Sequence, residues 1–285
     1  MSHSSSHLSG RGGFTLIELL VTMAILAIIL TMAVQVAESS RMSIRLAESQ
    51  AFNDAIARQT FDRINRDVAQ MVVREDARIE FKSMPGNDQF AFLTRTTGFT
   101  AAGAVADRGV ALVSYSLVHD ASVGQKLLRG SCGHLFAGSG NDALNLNPDL
   151  PFPAITADNV QVLSNNVIRL ELEYLVQASS GGVTREISPP LIPPLAPPGS
   201  PPVAAQTKLR GFVVTLATLD AWALRAVKPE RLVALAVNFP DASLSANTLK
   251  VWSEKRDALA KSGIPGLPKA AVKSIHCYQR TLLIP

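Results

Sequence analysis

Residues 11–37 read RGGFTLIELLVTMAILAIILTMAVQVA, and the rest of the chain is interpreted from them. Between Phe14 and Ala37 the only charge is Glu18. A helix crossing the hydrocarbon core of a bilayer needs about 20 apolar residues, whereas the apolar region of a cleaved secretory signal has about 7 to 15. The run from 14 to 37 therefore predicts a membrane-spanning helix and disfavours an ordinary signal peptide. Residues 1–13 contain Arg11, His3 and His7 and no acid. The positive-inside tendency keeps this end cytoplasmic and places the remainder outside.

Glu18 is the anomaly in that run. A carboxylate within an apolar helix costs about 2.5–3.5 kcal/mol on insertion scales and is normally retained only with a partner, yet the segment offers no cation. A position near the interface, with the side chain snorkelling or protonated, is one explanation. The sequence context supplies another. Arg11-Gly12-Gly13-Phe14-Thr15-Leu16-Ile17-Glu18 resembles, without a gap, the prepilin processing site, where a membrane aspartyl peptidase cuts after the glycine and the new amino terminus is methylated. The resemblance implies that Gly13, lacking a side chain, gives the peptidase access to the backbone, and that Phe14 becomes the first mature residue. It also implies that Glu18 pairs with the terminal ammonium of a neighbouring subunit, which supplies the missing cation and sets axial register.

Past the membrane run the helical period continues through Ile44, Ala51, Phe52, Ala55 and Ile56, then Phe61, Ile64, Val68, Met71 and Val72. Asp54, Arg58, Asp62 and Arg66 form an i, i+4 ladder, with Arg63 and Asp67 adding a pair, which reads as a solvated face. A single helix over 14–74 would be on the order of 90 Å long at about 1.5 Å per residue. The pattern then changes to short strand-like runs at 79–84, 89–96, 110–118, 126–129, 167–176 and 211–219, with Pro85-Gly86-Asn87-Asp88 as a hairpin turn between the first two. In 167–174 the alternation sets Val167, Arg169, Glu171 and Glu173 against Ile168, Leu170, Leu172 and Tyr174. Proline pairs recur through 189–202, which excludes helix and central strand and predicts an exposed, stiff loop. Helices over 219–237, interrupted near Pro229, and over 244–261 precede a last strand at 272–283.

These segments extend the resemblance. The order helix, VSYSLVHD (113–120), KLLRGS (126–131), NNVIRLELEYLV (165–176) and LRGFVVTLATLD (209–220) looks like minor pseudopilin J of type II secretion. TLATLDAWALR (215–225), with the following helical region and final strand, also looks like Verru_Chthon cassette protein C, a prepilin-type family of unknown role. The proline insert and the long C-terminal tail depart from the J pattern.

The fold expected is α+β and type IV pilin-like: a long N-terminal helical spine, its first half transmembrane, packed against an antiparallel sheet in the head. The organisation expected is a leader at 1–13, a transmembrane helix at 14–37, a soluble continuation at 38–76, and a head at 77–285 with a Pro-rich loop at 188–202. The partners implied are a prepilin peptidase/N-methyltransferase, other pilin or pseudopilin subunits, an inner-membrane assembly platform and the lipid bilayer.

The remaining chemistry is sparse. The net charge is +4, but Lys and Arg are scattered and interleaved with acids, so nucleic acid is not expected as a partner; the alternative reading is a ligand- or DNA-binding minor pilin or adhesin presented by the same anchor, and behind it a membrane-anchored enzyme. Cys132 and Cys277 are the only cysteines. In an oxidising exterior they could be joined, and sequence leaves open whether they meet. His134 and His276 lie beside them, but His276 and Cys277 would point to opposite faces of one strand, so no metal site is expected. No nucleophile elbow, zinc-helix, calcium-loop or phosphate-loop motif occurs, no cofactor is implied, and catalysis is not expected. Trp222 and Trp252, at helical positions, read as core.

Overall fold

The computed structural model describes residues 15–73, 80–82, 88–96, 109–120, 124–133, 160–177, 181–187 and 208–284. The Pro-rich stretch 188–202, the hairpin turn at 85–87, Gly13, Phe14 and His134 lie outside these residues. The architecture is α+β, as expected: a long N-terminal helix followed by antiparallel strands and short helices. It divides into two units, one ending at Ser49 and the other beginning at Gln50.

In the first unit, helix α1 begins at Leu16 and runs without a break to Ala69 in the second unit. Its large apolar side chains from Leu16 to Leu46 are all exposed. The segment is long and apolar enough to cross a membrane. Thr22, Thr31, Ser39 and Ser43 return their hydroxyls to helix carbonyls one turn back, so these polar groups need no water.

In the second unit, the part of α1 from Gln50 onward buries one face through Ala57, Phe61, Ile64 and Val68. The helix stops at Ala69, short of the expected 74–76, because the chain pairs with a strand instead. Val72 N donates to Leu93 O at 2.8 Å, Arg95 N donates to Gln70 O at 2.9 Å, and Met71 bridges Thr94.

The single sheet expected is in fact two. Strands β1 (Glu80–Lys82), β2 (Gln89–Thr94), β3 (Ala111–Asp120), β4 (Gly124–Gly133) and β5 (Val160–Ser164) form an antiparallel meander in that order. Strands β6 (Val167–Gln177), β7 (Val183–Glu186), β8 (Lys208–Leu219) and β9 (Ile275–Leu283) form a second antiparallel sheet, in the order β7-β6-β8-β9. One core joins α1 to both sheets, with Phe90, Phe92 and Tyr115 from the first and Leu170, Leu172, Tyr174, Phe212, Val214 and Leu216 from the second.

The other face of the second sheet is also covered. Helices α2 (Ala221–Ala226), α3 (Pro229–Ala236), α4 (Thr248–Ser262) and α5 (Lys269–Lys273) form a layer around Leu232, Leu235, Phe239, Trp252 and Val272, packed on Ile168, Ala217 and Leu219. A β-bulge between Val167 and Arg169 places Ile168 in this second core, breaking the simple alternation. Asn247 caps α4 by accepting from Lys250 N at 3.1 Å. Trp252 is buried with its indole N–H donating to Pro240 O at 2.8 Å. Trp222 is not core: it is 57% exposed on α2.

Candidate assembly determinant

The first described residues form a helix cap. Thr15 precedes the first turn of α1 and Glu18 is its third residue, the spacing of a capping box. Glu18 N donates to Thr15 Oγ1 at 3.4 Å, and Thr15 N donates back to Glu18 Oε2 at 3.5 Å. The Thr15 hydroxyl also lies 3.5 Å from that oxygen. The carboxylate therefore sits where unpaired helix N–H groups and the positive end of the macrodipole favour an anion. These are long, single-chain contacts, and among the described residues no cation pairs with Glu18.

A second constellation fixes the spine to the head. Arg129 of β4 grips Asp67 through two bonds, Nε to Oδ2 at 2.6 Å and Nη2 to Oδ1 at 3.1 Å, and the Tyr115 hydroxyl donates to the same carboxylate. All three are buried. Burial opposes the Arg129 charge, but Asp67 outweighs it and holds the guanidinium protonated; burial, reinforced by Asp67, raises the Tyr115 hydroxyl well above its ordinary range. Farther along, Asn53 donates to Asp220, Tyr278 donates to Asp54 at 2.7 Å, and Arg280 donates to Asp62 at 2.6 Å. The ladder read as a solvated face is thus partly turned inward at Asp54 and Asp67, while Asp62 stays exposed and pairs with Arg280 at the surface.

A third group was not singled out from sequence. The charged side of β6 is covered by the 237–247 segment, so that Arg169, Glu171 and Glu173 are buried. Arg169 bonds Glu171 at 3.1 Å and also Asp241, while its guanidinium lies 5.8 Å from the Trp252 ring. Arg185 of β7 meets Glu173 at 2.5 Å and donates to the carbonyls of Ser243 and Ala246. Glu171 also accepts from Ala242 N at 2.7 Å, yet burial and the Asp88 carboxylate raise its pKa to about 8. The arginines latch the covering segment down. A cavity of about 160 Å³ beside it is lined by Pro240, Asp241, Ser243, Ala246, Thr248, Val251 and Trp252, without a convergent pair of acid and base.

The two cysteines do not join. Cys132 lies on β4 opposite Leu112, and Cys277 on β9 opposite Ala217, in different sheets, and both thiols are free. Cys277 packs into the helix-side core, where burial raises its pKa to about 12. His276 turns away from it, its Nε2 3.9 Å from Asp220 and its ring stacked on Tyr278.

Comparison with known proteins picks out the first of these constellations. Residues 8–34 match the prokaryotic N-terminal methylation motif, so Gly13, Phe14 and Glu18 stand within that motif. A type IV-like pilin from Thermus thermophilus aligns over 82% of this chain and 95% of its own, at 14% identity and a TM-score of 0.33. No curated protein matches the chain.

Proposed function

We propose that this chain is a pilin-type structural subunit, a minor pilin or pseudopilin of a type IV pilus or of a filament like that of type II secretion. The observation that carries the reading is the Thr15–Glu18 cap. It places a carboxylate, unpaired with any cation among the described residues, at the head of an exposed apolar helix, inside the methylation motif. Prepilin peptidase would cut after Gly13 on the cytoplasmic side of the inner membrane, and Phe14 would be methylated. The freed ammonium of one copy then meets Glu18 of its neighbour, turning an insertion cost into a register signal. The exposed apolar faces of α1 supply the lateral contacts, and the chain performs no chemistry of its own. The likeness of 113–220 to pseudopilin J favours a low-copy position.

The test is intact-mass and N-terminal peptide mass spectrometry after coexpression with and without a prepilin peptidase, alongside Gly13→Leu. Peptidase-dependent loss of residues 1–13, blocked by the substitution, is expected. An intact chain, or a cut beyond the apolar helix, would overturn the reading.

A further inference from the structure

The chain's positive charge is concentrated in one layer. Residues 221–273 hold nine Lys and Arg against four Asp and Glu, an excess of five, whereas the whole chain has net +4. The rest of the molecule is therefore slightly acidic. The excess was not visible as a run because the cations come from separate short helices. Helix α5 packs against both α2 and α4. Arg231 of α3 crosses the α4–α5 turn, where a Cβ added at Gly266 would lie 3.3 Å from its Cζ.

Two kinds of cation occupy this layer. On α4, Lys250 is paired with Glu254 at 3.9 Å and Arg256 with Asp257 at 2.8 Å, while Lys255 and Lys261 of the same helix are exposed and form no ion pair among the described residues. Arg225, Lys228, Arg231, Lys269 and Lys273 are exposed and form no ion pair among the described residues, and Glu230 is the one acid on their elements. Trp222 stands one turn before Arg225, more than half exposed, while the same helix packs inward through Ala223. An indole left in water beside unmatched cations has the parts of a single-strand nucleic acid site: charge to follow phosphates and a flat ring on which a base stacks. A bilayer surface fits less well, because α2 presents Trp222 without other large apolar side chains to insert.

We infer that the α2–α5 layer binds single-stranded nucleic acid, with Trp222 as stacking platform and Arg225, Lys228, Lys269 and Lys273 as phosphate contacts. The inference concerns the head alone and does not depend on filament assembly.

The experiment is fluorescence anisotropy of labelled oligo(dT) with the full chain in neutral detergent micelles, titrated at several salt concentrations. With about four phosphate contacts, log affinity should fall against log salt with a slope near −3, at about 0.7 per contact. Lys269→Glu combined with Lys273→Glu should flatten that slope, and Trp222→Ala should weaken binding about 5- to 150-fold while leaving the slope in place. Trp222→Phe, which keeps a ring, should retain most of the affinity. Circular dichroism of each variant controls for folding; all the sites are on the surface. No binding at low salt overturns the inference, as does binding indifferent to Trp222. Oligo(dT) displaced by phosphatidylglycerol vesicles or polyglutamate, with Trp222→Ala without effect, would likewise overturn it in favour of a lipid or acidic-protein surface.

Discussion

Replacing Asp67 with alanine tests how the spine is held to the head. The carboxylate is buried and receives two bonds from Arg129, at 2.6 and 3.1 Å, and one from Tyr115. Removing it leaves a guanidinium that is itself buried, with no other acid paired to it among the described residues. Breaking a buried pair from one side costs about 3–5 kcal/mol. That is a large share of the roughly 5–15 kcal/mol of a typical domain. The expected result is a large fall in the urea midpoint of the detergent-solubilised full chain, followed by near-ultraviolet circular dichroism, with an unchanged m-value. Arg129→Met in the Asp67→Ala background should restore part of the loss, because the stranded charge is removed with its partner. The coupling in that cycle should be about 2 kcal/mol. A cost below about 1 kcal/mol for Asp67→Ala, or strict additivity of the two changes, would refute the claim that this pair fastens α1 to β4.

Three further outcomes follow from the geometry. Glu171 has a folded-state pKa raised to about 8 from 4.5, so its protonated form is favoured by folding; this contribution is full below the unfolded value and is lost as pH rises through about 8. Stability should therefore decline between pH 4.5 and 8, and Glu171→Gln should flatten that decline in urea melts taken across the range. Gly211→Ala would bring a Cβ to 2.3 Å from the Leu282 carbonyl, a backbone atom that cannot step aside; it should loosen the β8–β9 pairing and lower the thermal midpoint by several degrees, whereas the same change at Gly182, where nothing lies within 4 Å, should not. Glu18→Ala should leave the protein in the membrane fraction, since insertion becomes easier by about 2.5–3.5 kcal/mol, but abolish its recovery in sheared filaments; equal recovery of mutant and parent would count against the register role.

What sequence revealed and what it hid divide along a physical line. The membrane run, the continuing period of α1 and the β6 and β8 strands were legible because each depends on local pattern within one element. Glu18 was legible for a related reason: a charge in an apolar helix is conspicuous wherever it folds. Asp54 and Asp67 were read as solvated because i, i+4 spacing describes only the helix that carries them, whereas Asp62 is solvated as that spacing implies. The partners of Asp54 and Asp67, Tyr278 and Arg129, lie 224 and 62 residues away. Arg169, Glu171 and Glu173 failed in the same way, since alternation marks one strand face as polar but cannot show that a later segment will close over it.

The basic layer extends this reasoning. A charge pattern along a sequence is informative when one element presents it, and it misleads when short helices share it out. Here α2, α3 and α5 each contribute one or two unmatched cations, too few to register singly, and the acids that balance the chain's total lie elsewhere. Trp222 shows the same limit. A tryptophan at a helical position is ordinarily core, as Trp252 is, yet α2 is only six residues long and buries its other side through Ala223. Its exposure is thus a consequence of which face so short a helix can hide. The indole left outside stands one turn before Arg225, on a helix against which α5 packs.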